Sequence, residues 1–140
     1  MKLFLYIVPA VMLLMAHSCT KKDIELREGN IEMGLKRCGN GNIGGYDLRL
    51  CFDSLISDSR CPANAMCIWQ GTATAKFSLT KNGETKTFVL NTLHQPPTYT
   101  KDTVLMGYKI EFVNLSPYPG TAPMPVPADK IKAELKITQQ

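Results

Sequence analysis

The chain reads as an all-β domain, an immunoglobulin-like β-sandwich or a small barrel of about seven antiparallel strands. Three observations lead there. Apolar and polar residues alternate with period two in several separate segments. Asn82-Gly83 sits between two such segments, and this pair is the strongest short signal for a hairpin turn. No long stretch shows the 3.6-residue periodicity of an amphipathic helix. The alternation does not settle strand order, nor sandwich against barrel.

Taken along the chain, Gly29-Asn30 is a second turn candidate, which would pair Leu26 with Met33 and Ile24 with Leu35. Leu48, Leu50 and Phe52 alternate with Asp47, Arg49 and Cys51. Cys51 should therefore point away from the apolar face, and its partner should lie outside the main core. Pro62 to Met66 has the length of a single helical turn. A two-residue loop at Asn82-Gly83 makes paired positions sum to 165. Phe77 then faces Phe88 and Ala75 faces Leu90, with Lys76–Val89 and Ser78–Thr87 on the other face. A slip of one residue would mix the faces, so turn and pattern specify the same register. Residues 92–103, with Pro96-Pro97, read as a loop. Tyr108, Ile110 and Phe112 form an alternating strand, as do Ile131, Ala133, Leu135 and Ile137. Between them, residues 116–129 hold five prolines and suit an extended connection.

The 140 residues allow one domain. Charge is nearly balanced, with 16 basic and 12 acidic side chains and no Lys/Arg run longer than two. That is not the footprint of a nucleic-acid binder. The start of the chain is different in kind. Lys2 precedes an apolar run over residues 3–15, interrupted only by Pro9. Thirteen residues are too few to span a bilayer and fit a signal-peptide core, so residues 1–18 are expected to be removed. Ala16-His17-Ser18 offers an ordinary signal peptidase its small-residue pattern. Leu14-Met15-Ala16-His17-Ser18-Cys19 also resembles a bacterial lipobox. That resemblance implies cleavage before Cys19, acylation of its thiol and a bacterial envelope location, in the outer membrane and facing either side of it. Thr20-Lys21-Lys22-Asp23 is similar to lipoprotein leaders that direct export. Residues 19–30 are then a lipid-attachment site and stem, and residues 31–140 the sandwich. Two or three acyl chains would hold such a protein where one is marginal.

With Cys19 acylated, four of the five cysteines remain. An exported, oxidising setting makes them a disulfide set with three arithmetical connectivities. Cys61 and Cys67 enclose only five residues, which favours their pairing and leaves Cys38 with Cys51. Loop entropy values each bridge at roughly 2–3 kcal/mol. A zinc knuckle needs closely spaced cysteine pairs, and no Cys-x-x-Cys occurs. No metal or cofactor is expected.

Ser59-Arg60-Cys61-Pro62 and, after a short spacer, Cys67-Ile68-Trp69-x-Gly71 lead into an alternating segment, and Leu115-Ser116-Pro117-Tyr118-Pro119 follows a later strand. Together they resemble a family of small, uncharacterised bacterial lipoproteins with a Ser-Arg-Cys-Pro…Cys-(Ile/Val)-Trp-x-Gly signature. The resemblance covers most of residues 46–138 and implies a lipid-anchored domain without implying an activity. Physically, a Cys61–Cys67 bridge would pin a tight loop. Trp69, the single Trp, is expected to pack against the bridge or cap the sandwich. Arg60 would pair with Asp58 or Asp53, or bond loop carbonyls. The competing reading makes Trp69, Arg60 and Tyr118 a ligand platform. No nucleophile elbow, zinc-protease or phosphate-loop motif is present, and His94 is the single histidine beyond the leader. The expectation is a non-catalytic envelope protein that binds a protein or glycan, or serves an accessory role. The alternative is a protease-inhibitor-like module using loop 116–129.

Overall fold

The computed structural model describes residues 24–94, 97, 100–122 and 124–140. The expected signal peptide over residues 1–18 and the expected lipid attachment at Cys19 lie outside these residues. Among the described residues nine strands follow in chain order: β1 Ile24–Glu25, β2 Gly29–Gly34, β3 Arg37–Ile43, β4 Tyr46–Asp58, β5 Ala73–Lys81, β6 Glu84–Asn91, β7 Asp102–Leu105, β8 Tyr108–Ser116 and β9 Lys132–Gln139. They form a five-stranded sheet in the order β1-β3-β4-β5-β6 and a four-stranded sheet in the order β2-β9-β8-β7. The two sheets pack face to face and do not close, so the fold is a β-sandwich and not a barrel.

Period-two alternation explains the core. Leu48, Leu50 and Phe52 of β4 and Ala73, Ala75, Phe77 and Leu79 of β5 point inward. Ile110, Phe112, Ala133, Leu135 and Ile137 meet them from the other sheet. Phe77 is the centre, with its ring centroid 5.1 Å from Phe52 and 5.4 Å, edge-on, from Phe112. Each buried Leu, Ile or Phe side chain contributes about 1.5–3 kcal/mol by leaving water. Tyr108 is buried as well, and its hydroxyl donates to the Ile43 carbonyl across the sandwich at 2.7 Å. The β5–β6 hairpin has the expected register, with Phe77 opposite Phe88 and Ala75 opposite Leu90.

The Gly29-Asn30 hairpin is not formed. Instead β1 runs parallel to β3, and β2 joins the other sheet beside β9. The cause is a close approach. A Cβ on Gly41 would lie 2.1 Å from the Leu26 carbonyl oxygen. Glycine there lets the Leu26 segment lie against β3, where the Leu26 amide donates to Asn40 and the side chain is buried. Residues 24–30 therefore belong to the sandwich, not to a stem.

Three smaller corrections follow. Asp102 and Thr103 extend the second sheet as part of β7 and are not loop. Residues 62–66 make one turn, closed by the Ala65 amide on the Pro62 carbonyl, without becoming a helix. Ser116 ends β8, and Ala128–Lys130 forms a 3₁₀ turn within the proline-rich connection.

The connections differ at the two ends. Gly44-Gly45, Asn82-Gly83 and Met106-Gly107 are tight turns at one end. The long connections 59–72, 92–101 and 117–131 gather at the other.

Candidate functional site

The long-loop end holds the motif residues. Strand pairing does not stop where β4 and β5 end. The Ser59 amide donates to Thr72 at 2.9 Å and the Cys61 amide to Gln70 at 3.0 Å. The hairpin thus continues outward as far as the Cys61–Cys67 bridge, which closes its tip. Gly71 permits this. Its φ is +66°, and a Cβ would lie 1.9 Å from the Ser59 carbonyl oxygen.

Arg60 is the buried cation of this end, at 7 % exposure. Its Nε and Nη2 donate to the Asp58 carboxylate at 2.8 and 2.7 Å. Nη1 donates to the Leu115 carbonyl and Nη2 also to the Pro117 carbonyl. The guanidinium carbon stands 4.9 Å from the centroid of the Tyr118 ring. A planar fork can satisfy a carboxylate and two carbonyls together, which an ammonium cannot. The Ala63 amide adds a bond to the Pro119 carbonyl at 2.9 Å. Loop 59–72 and the connection after β8 are therefore one clamped unit. Asp53 lies elsewhere and accepts from Ser78.

Trp69 does not pack against the bridge or cap the core. It is 82 % exposed, with Ile68 at 93 % and Met66 fully exposed. The reason is spatial: Phe52, Phe77 and Phe112 already fill the interior, and the hairpin extension carries Trp69 past the last core layer. Of the three platform candidates, Arg60 is structural in position, Tyr118 lies half-exposed against it, and Trp69 is displayed. Sequence reasoning missed Met66 and Ile68. The available signal was the absence of any charged residue from Cys61 through Ala75.

The other bridge joins Cys38 to Cys51, directly opposed on β3 and β4. Both are partly exposed while Leu50 and Phe52 beside Cys51 are buried, so this bridge lies on the outer face, as the alternation requires. An open groove of about 600 Å³ runs beside the clamp, lined by Pro117, Ala122, Pro125, Val126 and Pro127 with Lys130 and Lys132 at its rim.

Titratable groups do not converge at the clamped end. Burial, then the neighbouring Tyr46, pushes the Tyr108 phenol above its ordinary value, at the opposite end of the sandwich. Lys109 is held up by its hydrogen bond to Asp102 and that carboxylate's charge, with Glu111 adding to it. His94 lies on the surface with Nδ1 3.9 Å from Asp102 Oδ1. Among the described residues no three His, Cys, Asp or Glu are grouped as metal ligands. Comparison with protein-family models, with curated proteins and with solved structures gives no match to this chain. The geometry of residues 58–71 and 115–120 is accordingly what carries a functional reading.

Proposed function

We propose that this chain is a non-catalytic, lipid-anchored component of a bacterial cell envelope, attached to the outer membrane through acylated Cys19. Its sandwich acts as a binding or accessory module, and loop 61–70 is the contact surface. The observation that carries the module reading is the pairing of a locked backbone with displayed side chains. The bridge, the hairpin extension and Arg60 hold the loop, yet Met66, Ile68 and Trp69 do nothing for the core. Exposed clusters of large apolar side chains mark contact sites. Trp and Met are enriched at such sites, and a rigid loop avoids the ordering entropy of contact. The leader, the lipobox-like Leu14–Cys19 segment and the two disulfides support export and anchoring.

The protease-inhibitor reading of loop 116–129 draws less support. Arg60 and Ala63 occupy the carbonyls of Pro117 and Pro119 in that loop, main-chain groups an inserted loop would offer to a protease.

The intact mass of the chain isolated from membranes tests the anchor. The expected species begins at Cys19 and carries diacylglycerol and acyl mass. A bare polypeptide would refute it. Cys19→Ala should release the protein from the membrane fraction. Joint replacement of Met66, Ile68 and Trp69 by Ala should keep the melting temperature and abolish contact with the physiological partner.

A further inference from the structure

Two segments free of charge meet at the clamped end. No Asp, Glu, Lys or Arg occurs from Cys61 through Ala75, nor from Phe112 through Ala128. Met66, Ile68, Trp69, Tyr118 and Met124 stand out from them into solvent. Arg60 and the Ala63–Pro119 bond lock the two segments together, so they present one surface. Lys36, in the β2–β3 turn, and Arg37, the first residue of β3, are exposed but lie short of the tip, since Arg37 pairs with Phe52 and Phe52 with Phe77.

The direction of the chain bears on what this surface meets. β1 is parallel to β3, and β3 runs away from the clamped end toward the tight-turn end. The Ile24 end of β1 therefore faces the clamped end. Five residue steps separate Cys19 from Ile24, a reach of at most about 18 Å.

We propose that the clamped end is a membrane-contacting cap, with Met66, Ile68 and Trp69 entering the interfacial layer of the bilayer. The proposal rests on the lipid-anchor reading and names the partner of the contact surface. A lipid surface is favoured over a protein partner for three reasons. The tether keeps the cap close to that surface at high effective concentration. The two segments have no charged group to desolvate. Trp is suited to the bilayer–water boundary.

Register also sets the tilt. Ile24 pairs with Gly39, Gly39 with Leu50 and Leu50 with Leu79. From Leu79 to Ala73 the strand alone covers about 20 Å, more than the tether of about 18 Å, and the chain runs on past Gly71 to the tip. An upright sandwich with its cap on the membrane would overstretch the tether. A sandwich leaning from the bilayer normal with its β1 edge toward the surface satisfies both lengths.

Trp69 is the single Trp and so reports its own surroundings. The experiment takes the protein isolated from the membrane fraction of producing cells, measures its mass, and mixes or reconstitutes it with vesicles. These are phosphatidylethanolamine with a minor share of phosphatidylglycerol, with and without bromine on the acyl chains. The expected result is a blue-shifted Trp69 emission that brominated lipid quenches. M66D/I68D keeps Trp69 and should lose the quenching, with partition weakened roughly tenfold per side chain. Lipid mass without quenching overturns the cap and leaves the anchor. Quenching without lipid mass upholds the cap and overturns the anchor. Neither lipid mass nor quenching overturns both. Quenching that M66D/I68D leaves intact overturns the cap, because Trp69 would then sit in lipid without its neighbours. Trp69 shielded in whole envelopes but unquenched in pure lipid also overturns it, in favour of a protein or glycan ligand.

Discussion

Replacing Arg60 by Ala should cost about 3 kcal/mol, because it removes one partner of a buried ion pair. The guanidinium has 6 % side-chain exposure and Asp58 has 23 %. After truncation the carboxylate loses its Nε and Nη2 donors, and the Leu115 and Pro117 carbonyls lose theirs. Breaking a buried pair typically costs about 3–5 kcal/mol. The lower figure applies here, since Asp58 keeps some water and still accepts from the Arg60 amide at 3.2 Å. For a domain of this size about 3 kcal/mol corresponds to a fall of roughly 10 °C in melting temperature. Thermal unfolding followed by circular dichroism measures it. A double-mutant cycle with Asp58→Ala isolates the coupling. Arg60→Lys keeps the charge and loses the fork, and should recover less than half of the loss. Amide exchange at Cys61 and Ala63 should speed up beyond the global change, because the clamp opens first. A loss below about 1 kcal/mol, the range of solvent-exposed ion pairs, would refute the reasoning.

Trp69→Ala should change stability by no more than about 0.5 kcal/mol in chemical denaturation, as for other exposed positions; a large loss would mean that the ring packs after all. Gly71→Ala should cost roughly 3 kcal/mol or more, since it adds a steric conflict to a left-handed backbone, whereas Gly45→Ala, with φ +83° and nothing within 4 Å, should cost about 1 kcal/mol. Joint replacement of Cys38 and Cys51 by Ala should cost about 3 kcal/mol from restored loop entropy, read as a shift in denaturant midpoint. Tyr108 gives a pH signature. Its folded pKa lies above the ordinary 10.0, so its contribution is complete below pH 10 and is lost as pH rises through the folded value. Tyr108→Phe should remove that alkaline fraction of the decline in melting temperature, and should cost about 1 kcal/mol at neutral pH through the lost bond to Ile43.

Local rules reached far into this fold. The Asn82-Gly83 turn and the alternation around it determine the β5–β6 register, because a two-residue loop leaves no other pairing. The Cys61–Cys67 pairing was legible from spacing, and Cys38–Cys51 from parity. The path of residues 24–34 was not. Gly29-Asn30 carries a local turn signal, but the competing force is non-local: β9 offers β2 a full antiparallel partner. Gly39 and Gly41 inside a strand were the clue that another backbone passes close by. Trp69 shows a different limit. Burial of a lone aromatic depends on whether the core still has room, and three phenylalanines from three strands had already filled it. For Arg60 the sequence offers Asp58, Asp53 or loop carbonyls, and the carbonyls it meets, on Leu115 and Pro117, are 55 and 57 residues away, where no local rule reaches.

The clamp makes sense as positioning more than as stabilisation. A buried ion pair adds little over a well-packed apolar pair of the same volume. Among the described residues, neither loop 61–70 nor residues 117–122 add a buried apolar side chain to the core. Stability alone therefore gives no reason to lock both segments with a guanidinium, a disulfide and a hairpin extension. Locking does matter if the outward side chains must be held in one arrangement. An apolar tip on a free loop would fold back to hide Met66, Ile68 and Trp69, and would lose ordering entropy on every contact. Arg60 prevents the first and reduces the second. The same residue that makes the loop costly to break thereby keeps its apolar edge exposed, which ties the stability of this end to the contact role proposed for it.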